Sequence, residues 1–152
     1  MTIHITSLHH YPVKSCAAVN LSRAWIDSLG LAGDRRYLVA GMDGNFMTAR
    51  KFPKLTTLLA TTFNGGLVLA SLDGTPAELV LQEKEFSDSY TSATVWKQNV
   101  SAQRCGSDAD AWISEFLGTP CQLLFFGEQS SRPIKKRDDK QVIDQQIKLL
   151  TD

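Results

Sequence analysis

Tyr37-Leu38-Val39-Ala40-Gly41-Met42-Asp43-Gly44-Asn45-Phe46-Met47-Thr48-Ala49 decides the fold reading. Two apolar runs flank an Asp-Gly pair, and glycine accepts the positive φ that a tight antiparallel turn demands, so the stretch predicts a hairpin. The same grammar recurs outward along the chain. Leu55 to Phe63 runs into Asn64-Gly65-Gly66, Leu67 to Leu72 into Asp73-Gly74, and Leu79-Val80-Leu81 follows. Upstream, Ile3 to Leu8 alternates apolar and polar positions, the period of a half-buried strand. Leu21 to Ile26 is a second candidate, closed by a loop with Gly30, Gly33 and Asp34. Ala93 to Lys97 reads as a later strand with Trp96 on one face, and Cys121 to Phe126 as a closing strand. Closely spaced strands with glycine-centred turns predict a mainly β fold, a mostly antiparallel β-barrel.

One principal helix is expected at 107–117. Ser107 stands as its N-cap, with Asp110 three residues on in the manner of a capping box. Ala109, Trp112, Ile113, Phe116 and Leu117 share a face at helical spacing, and Gly118 then Pro120 supply the stop. After Glu128 the composition changes. Ser130 to Asp152 carries Pro133 and the charged run Lys135 to Lys140, so the chain divides into a barrel domain, 1–129, and a mobile polar tail, 130–152. Val142, Ile143, Ile147 and Leu150 have the spacing of a marginal amphipathic helix.

Composition bounds the function. The 152 residues suffice for one domain, and 43% hydrophobic residues fill its core. Sixteen Lys plus Arg balance sixteen Asp plus Glu, which argues against a nucleic-acid or anionic-membrane partner. No apolar run approaches the ~20 residues of a membrane span, and the start lacks the pattern of a signal peptide. The expectation is a cytosolic protein. Cys16, Cys105 and Cys121 are odd in number and widely spaced, with no zinc-like pairing, so they read as reduced structural thiols and no metal site is expected. Cys16 alone stays open as a chemical residue.

It stays open because of its surroundings, Tyr11-Pro12-Val13-Lys14-Ser15-Cys16. Pro12 stiffens the exit from the first strand, and Lys14 with Ser15 offers a point charge beside a directed hydroxyl, which suits a phosphate. Gly30 to Tyr37 adds Arg35 and Arg36, whose planar forks grip oxyanions, with Asp34 able to orient one of them, or simply to cap the turn or form a salt bridge. Thr48-Ala49-Arg50 places a third cation at a strand end. Each stretch alone is ordinary surface. The three together are not.

Tyr-Pro-Val-Lys-Ser-Cys at 11–16, Gly-Leu-Ala-Gly-Asp-Arg-Arg at 30–36 and Asp-Gly-Asn-Phe-Met-Thr-Ala-Arg at 43–50, with Pro53 beyond, resemble the N-terminal β-barrel region of MOSC proteins. MOSC denotes the molybdenum cofactor sulfurase C-terminal domain; the family includes amidoxime-reducing components and bacterial reductases of N-hydroxylated bases. The resemblance runs from about Ile3 to Arg132 and takes in Arg104-Cys105-Gly106 before the helix. It implies a molybdopterin-type cofactor shared with a MOSC domain, held here by Lys14, Ser15 and Arg35, with Arg36 and Arg50 as secondary contacts. It also implies an iron–sulfur or flavin electron donor and reduction of N-hydroxylated substrates. Family members continue into the MOSC domain, which carries the molybdenum-ligating cysteine; after Pro133 this sequence shows no similar continuation. The chain is therefore expected to be a cofactor-binding half, inactive alone, with its catalytic residues unassigned. The alternative is a non-catalytic barrel that binds a partner protein or a small anion.

Overall fold

The computed structural model describes residues 3–27, 30–127, 129–131, 134–135 and 142–143. Strands β1 (Leu8–His10) and β2 (Val19–Leu21) form an antiparallel pair, as do β3 (Ile26–Asp27) and β4 (Gly30–Leu31). β5 (Tyr37–Gly41) precedes a meander of β6 (Leu58–Phe63), β7 (Gly66–Ser71) and β8 (Leu79–Gln82). β9 (Tyr90–Val95) and β10 (Gln98–Arg104) lead through α1 (Ser107–Leu117) into β11 (Cys121–Phe125). The largest sheet has the order β5-β11-β10-β9, antiparallel throughout, with Leu123 opposite Val39 and Val100 opposite Ala93.

Among the described residues the mainly β class and the single α-helix agree with the sequence. Among the described residues the barrel does not close. β5 and β9, the edges of the four-stranded sheet, are linked among the described residues by isolated bridges through the 43–46 loop, not by a ladder. Ala40 bridges Phe46, Asn45 bridges Thr94, and the Thr94 amide donates to the Gly44 carbonyl at 2.8 Å. The Asp43-Gly44 turn does form, but its return arm leaves β5 after Met47, whose amide reaches the Val39 carbonyl at 2.9 Å.

Alternation along two strands explains the body. On β5 and β11, Tyr37, Val39, Leu123 and Phe125 face the main cluster, where α1 lays down Ala109, Ile113 and Phe116 and the meander adds Leu58, Leu67 and Leu69. Leu38, Ala40 and Leu124 face the opposite way, onto Val95, Val100, Ala102 and Phe126. Both faces are covered, which is why these two strands read as unbroken apolar runs.

Other expectations shift locally. The segment 3–7 forms no strand, and Ile3 and Ile5 lie exposed; pairing begins at Leu8. The second candidate strand splits into β2 and β3, and Leu55 sits in a 3₁₀ turn before β6. Trp96 and Lys97 belong to the turn joining β9 to β10, not to a strand. Gly106, at φ +109, occupies the N-cap, with Ser107 inside the helix. Asp110 reaches across instead: its carboxylate accepts from the Leu123 amide at 2.9 Å and from Arg104 at 3.0 Å. Ser130 is buried and Ser131 bridges Ser101, so the first two residues of the expected tail dock on the body. Ile134–Lys135 pairs with Val142–Ile143 where a helix was expected; the remaining tail lies outside the described residues. Among the described residues no helix is long and apolar enough to cross a membrane.

Candidate functional site

Two loops predicted from distant stretches of sequence are clasped together by their backbones. The Tyr37 amide donates to the Pro12 carbonyl at 3.0 Å and the Lys14 amide to the Tyr37 carbonyl at 2.8 Å, laying 12–14 along the start of β5. The Tyr11 amide donates to the Asp34 carboxylate at 2.7 Å, and the Arg35 amide returns to the Tyr11 carbonyl at 2.7 Å. Asp34 thus caps the turn and also stands 3.8 Å from the Arg35 guanidinium. Asp34 is thus a turn cap and a salt-bridge partner.

The clasp brings Lys14, Ser15 and Arg35 to one cleft of about 1120 Å³. Arg50 and Thr48 line the same cleft. Arg36 does not; its guanidinium donates to the Phe126 carbonyl at 2.9 Å and lies over the Phe125 ring, where it packs the body. The Lys14 side chain is largely buried, with its ammonium 5.3 Å from the centre of the Phe46 ring. That contact holds the charge in place while the cleft wall shields it from bulk water.

Sequence reasoning missed part of the lining. Lys51, Met42, Phe46, Trp96 and Lys97 also line the cleft. Trp96-Lys97 is a two-residue hairpin turn without a glycine, so the usual turn signal is missing. Among the described residues, cleft cations Lys14, Arg35, Arg50, Lys51 and Lys97 face the single lining carboxylate of Asp43. Hydrogen bonds from the Asn45 side chain and amide hold the Asp43 carboxyl below the usual carboxylate range, so it stays charged without cancelling the excess.

Backbone strain marks the same place. The non-glycine residues with left-handed backbone among those described are Ser15 at φ +70, Arg35 at +48, Trp96 at +50 and Lys97 at +67. All of them line the cleft. An L-residue in this region costs roughly 1–2 kcal/mol, and such outliers concentrate at functional sites.

Cys16 sits in the cleft wall, but burial pushes its thiol up, so it is a protonated packing group and not a nucleophile. Burial raises Cys105 and Cys121 as well. Among the described residues no three His, Cys, Asp or Glu side chains gather as metal ligands.

Residues 2–120 match the family described as the MOSC N-terminal beta barrel domain. The chain belongs to that family. Human molybdenum cofactor sulfurase is 29% identical over 138 residues, covering 90% of this chain and 16% of the relative. Human mitochondrial amidoxime reducing component 2 is 29% identical over 150 residues, covering 95% of this chain and 44% of that protein. Mouse mitochondrial amidoxime-reducing component 1 is 31% identical over 143 residues, 91% and 42% of the two chains. This MOSC N-terminal domain thus spans less than half the length of those relatives. A solution structure of a Bordetella bronchiseptica protein superposes with a TM-score of 0.51 at 25% identity, over 69% of this chain and 88% of that one.

Proposed function

We propose that this domain grips the anionic end of a molybdopterin-type molybdenum cofactor and forms half of a reductase of N-hydroxylated compounds. The observation that carries the reading is the convergence of Lys14, Ser15 and Arg35 on one cleft whose charged lining residues are cations apart from Asp43. That donor set suits a dianionic phosphate: Lys14 brings a shielded point charge, Ser15 a directed hydroxyl and Arg35 a planar fork. When bound, such a cofactor supplies two-electron redox chemistry at its metal. This chain holds and orients the phosphate end; the metal's protein ligand would come from a MOSC domain, in cis or in trans, and the electrons from an iron–sulfur or flavin protein. The cytosol, which keeps thiols reduced, is the compartment of this reading. Catalytic residues are assigned to the MOSC half.

The test has two stages. Titration of this chain with inorganic phosphate, followed by heteronuclear NMR, should move Lys14, Ser15 and Arg35 first and weaken with salt, because open charges are screened within about 10 Å at 0.1 M. Lys14→Ala with Arg35→Ala should abolish the response. Co-purification with a MOSC domain should then yield bound molybdopterin and molybdenum, and the same double substitution should empty it. Phosphate shifts centred elsewhere, or full cofactor loading of the double variant, would overturn the proposal.

A further inference from the structure

Phe46 and Trp96 give the lining of the cleft an aromatic stretch. The Phe46 ring that carries the Lys14 ammonium meets Trp96 edge-on, at 6.3 Å between centres and 70° between planes. Trp96 therefore lies two contacts from the Lys14 ammonium, in the same cleft, yet keeps 55% of its surface exposed, and Met42 in the same lining keeps 63%. Its position is conformationally unfavourable. Trp96 and Lys97 fill a two-residue turn at φ +50 and +67, which Asn-Gly adopts with less strain. A large aromatic side chain is thus held at a strained turn, half exposed in the lining of the cleft.

We propose that Trp96, braced by Phe46, is a subsite for a flat, uncharged aromatic ring and selects ligands that carry one. The inference deepens the anion-cleft reading and rests on it for what occupies the Lys14 end. Charge sets the ligand class: Arg50, Lys51 and Lys97 line the same cleft and repel a cationic ring. A neutral ring gains dispersion on the indole face and surrenders little hydration, as bases do on aromatic platforms. The ring arrives either on the phosphate-bearing molecule or on a separate one, and two probes separate these sources.

The experiment follows the indole N–H resonances of Trp25, Trp96 and Trp112 in the isotope-labelled chain, assigned with Trp96→Phe. Naphthyl phosphate, naphthol, inorganic phosphate and cyclohexanol are titrated in turn. The Trp96 resonance should move with a naphthyl probe and not with cyclohexanol. Trp96→Leu should raise the dissociation constant for that probe roughly ten-fold, Trp96→Phe should recover most of the loss, and Trp25→Leu should change nothing. An effect confined to naphthyl phosphate assigns the ring to the phosphate-bearing ligand; an equal effect of naphthol in saturating phosphate assigns it to a separate molecule. If inorganic phosphate fails to bind while naphthol still depends on Trp96, the anion reading falls and the ring subsite stands. Equal binding of cyclohexanol, or wild-type affinity for both naphthyl probes in a folded Trp96→Leu variant, would overturn the inference.

Discussion

The apolar body and the cleft of this domain are built from opposite materials. In the body, α1 and the β5–β11 strands bury relaxed backbone and well-packed side chains: Val39, Leu123, Ile113 and Phe116 are fully enclosed. In the cleft, cations crowd together and Ser15, Arg35, Trp96 and Lys97 hold left-handed backbone. The body stabilises; the cleft costs stability and presents chemical groups. Substitutions should therefore separate the two, with body variants unfolding the chain and cleft variants changing binding at little cost to the fold.

The largest effect belongs to Trp112. Its indole stacks on Phe116 at 5.5 Å and donates to the Ala77 carbonyl, tying the helix to the segment before β8. Trp112→Ala should destabilise by about 3–5 kcal/mol in urea titration, while whatever fraction stays folded keeps its phosphate response. Loss of that response in folded protein would break the separation. Next comes Asp110, whose carboxylate joins the Leu123 amide to Arg104. Asp110→Ala strands a buried amide and should cost about 2 kcal/mol by the same measurement.

The two regions were legible to different degrees, for the same reason. The helix at 107–117 and the runs of β5 and β11 follow from local pattern, because burial on one or both faces writes itself into residue spacing. The place of Lys14, Ser15 and Arg35 in the cleft lining was legible because they sit in motifs. The rest of the lining was less so. Trp96 and Lys97 reach it through a strained turn that no propensity favours, and Lys51 reaches it through a loop. Barrel closure also escaped local reading, since it depends on whether the edges of β5 and β9 meet, and the 43–46 loop stitches them at single bridges instead. Asp110 looked like a capping residue because spacing alone does not show that Leu123 lies within its reach.

His10 stands at the seam between the two regions and gives a smaller, pH-dependent effect. Its ring is buried, with no hydrogen-bond partner at Nδ1 among the described residues, and lies beside Gly33 in the loop that carries Arg35. Burial lowers its pKa from the ordinary 6.5, partly offset by the Asp34 charge and the Ala32 contact. The unfolded chain then binds the proton more readily than the folded one. Stability is therefore fully present above the unfolded value and is lost as pH falls from there toward the lower folded value. Urea midpoints should rise from pH ~5.5 to ~7.5, and His10→Gln should flatten that rise. An unchanged slope in the variant would remove His10 from the seam.

The smallest effect has the opposite sign, and it sharpens the comparison most. Ser15 holds φ +70 to turn the chain after Lys14, a conformation that glycine adopts without penalty from a Cβ. Ser15→Gly relieves that strain, worth roughly 1–2 kcal/mol, but adds freedom to the unfolded chain worth roughly 0.4–1 kcal/mol. The remainder favours the variant, so the folded domain should gain up to about 1.6 kcal/mol in urea titration. The hydroxyl is lost in the same step, so the phosphate response at Lys14 and Arg35 should weaken although the protein is more stable. Stabilisation with weakened binding identifies Ser15 as a residue whose strained place serves the cleft. If Ser15→Gly instead destabilises the domain and leaves phosphate binding intact, Ser15 belongs to the body, and the boundary between the two regions must be redrawn behind Lys14.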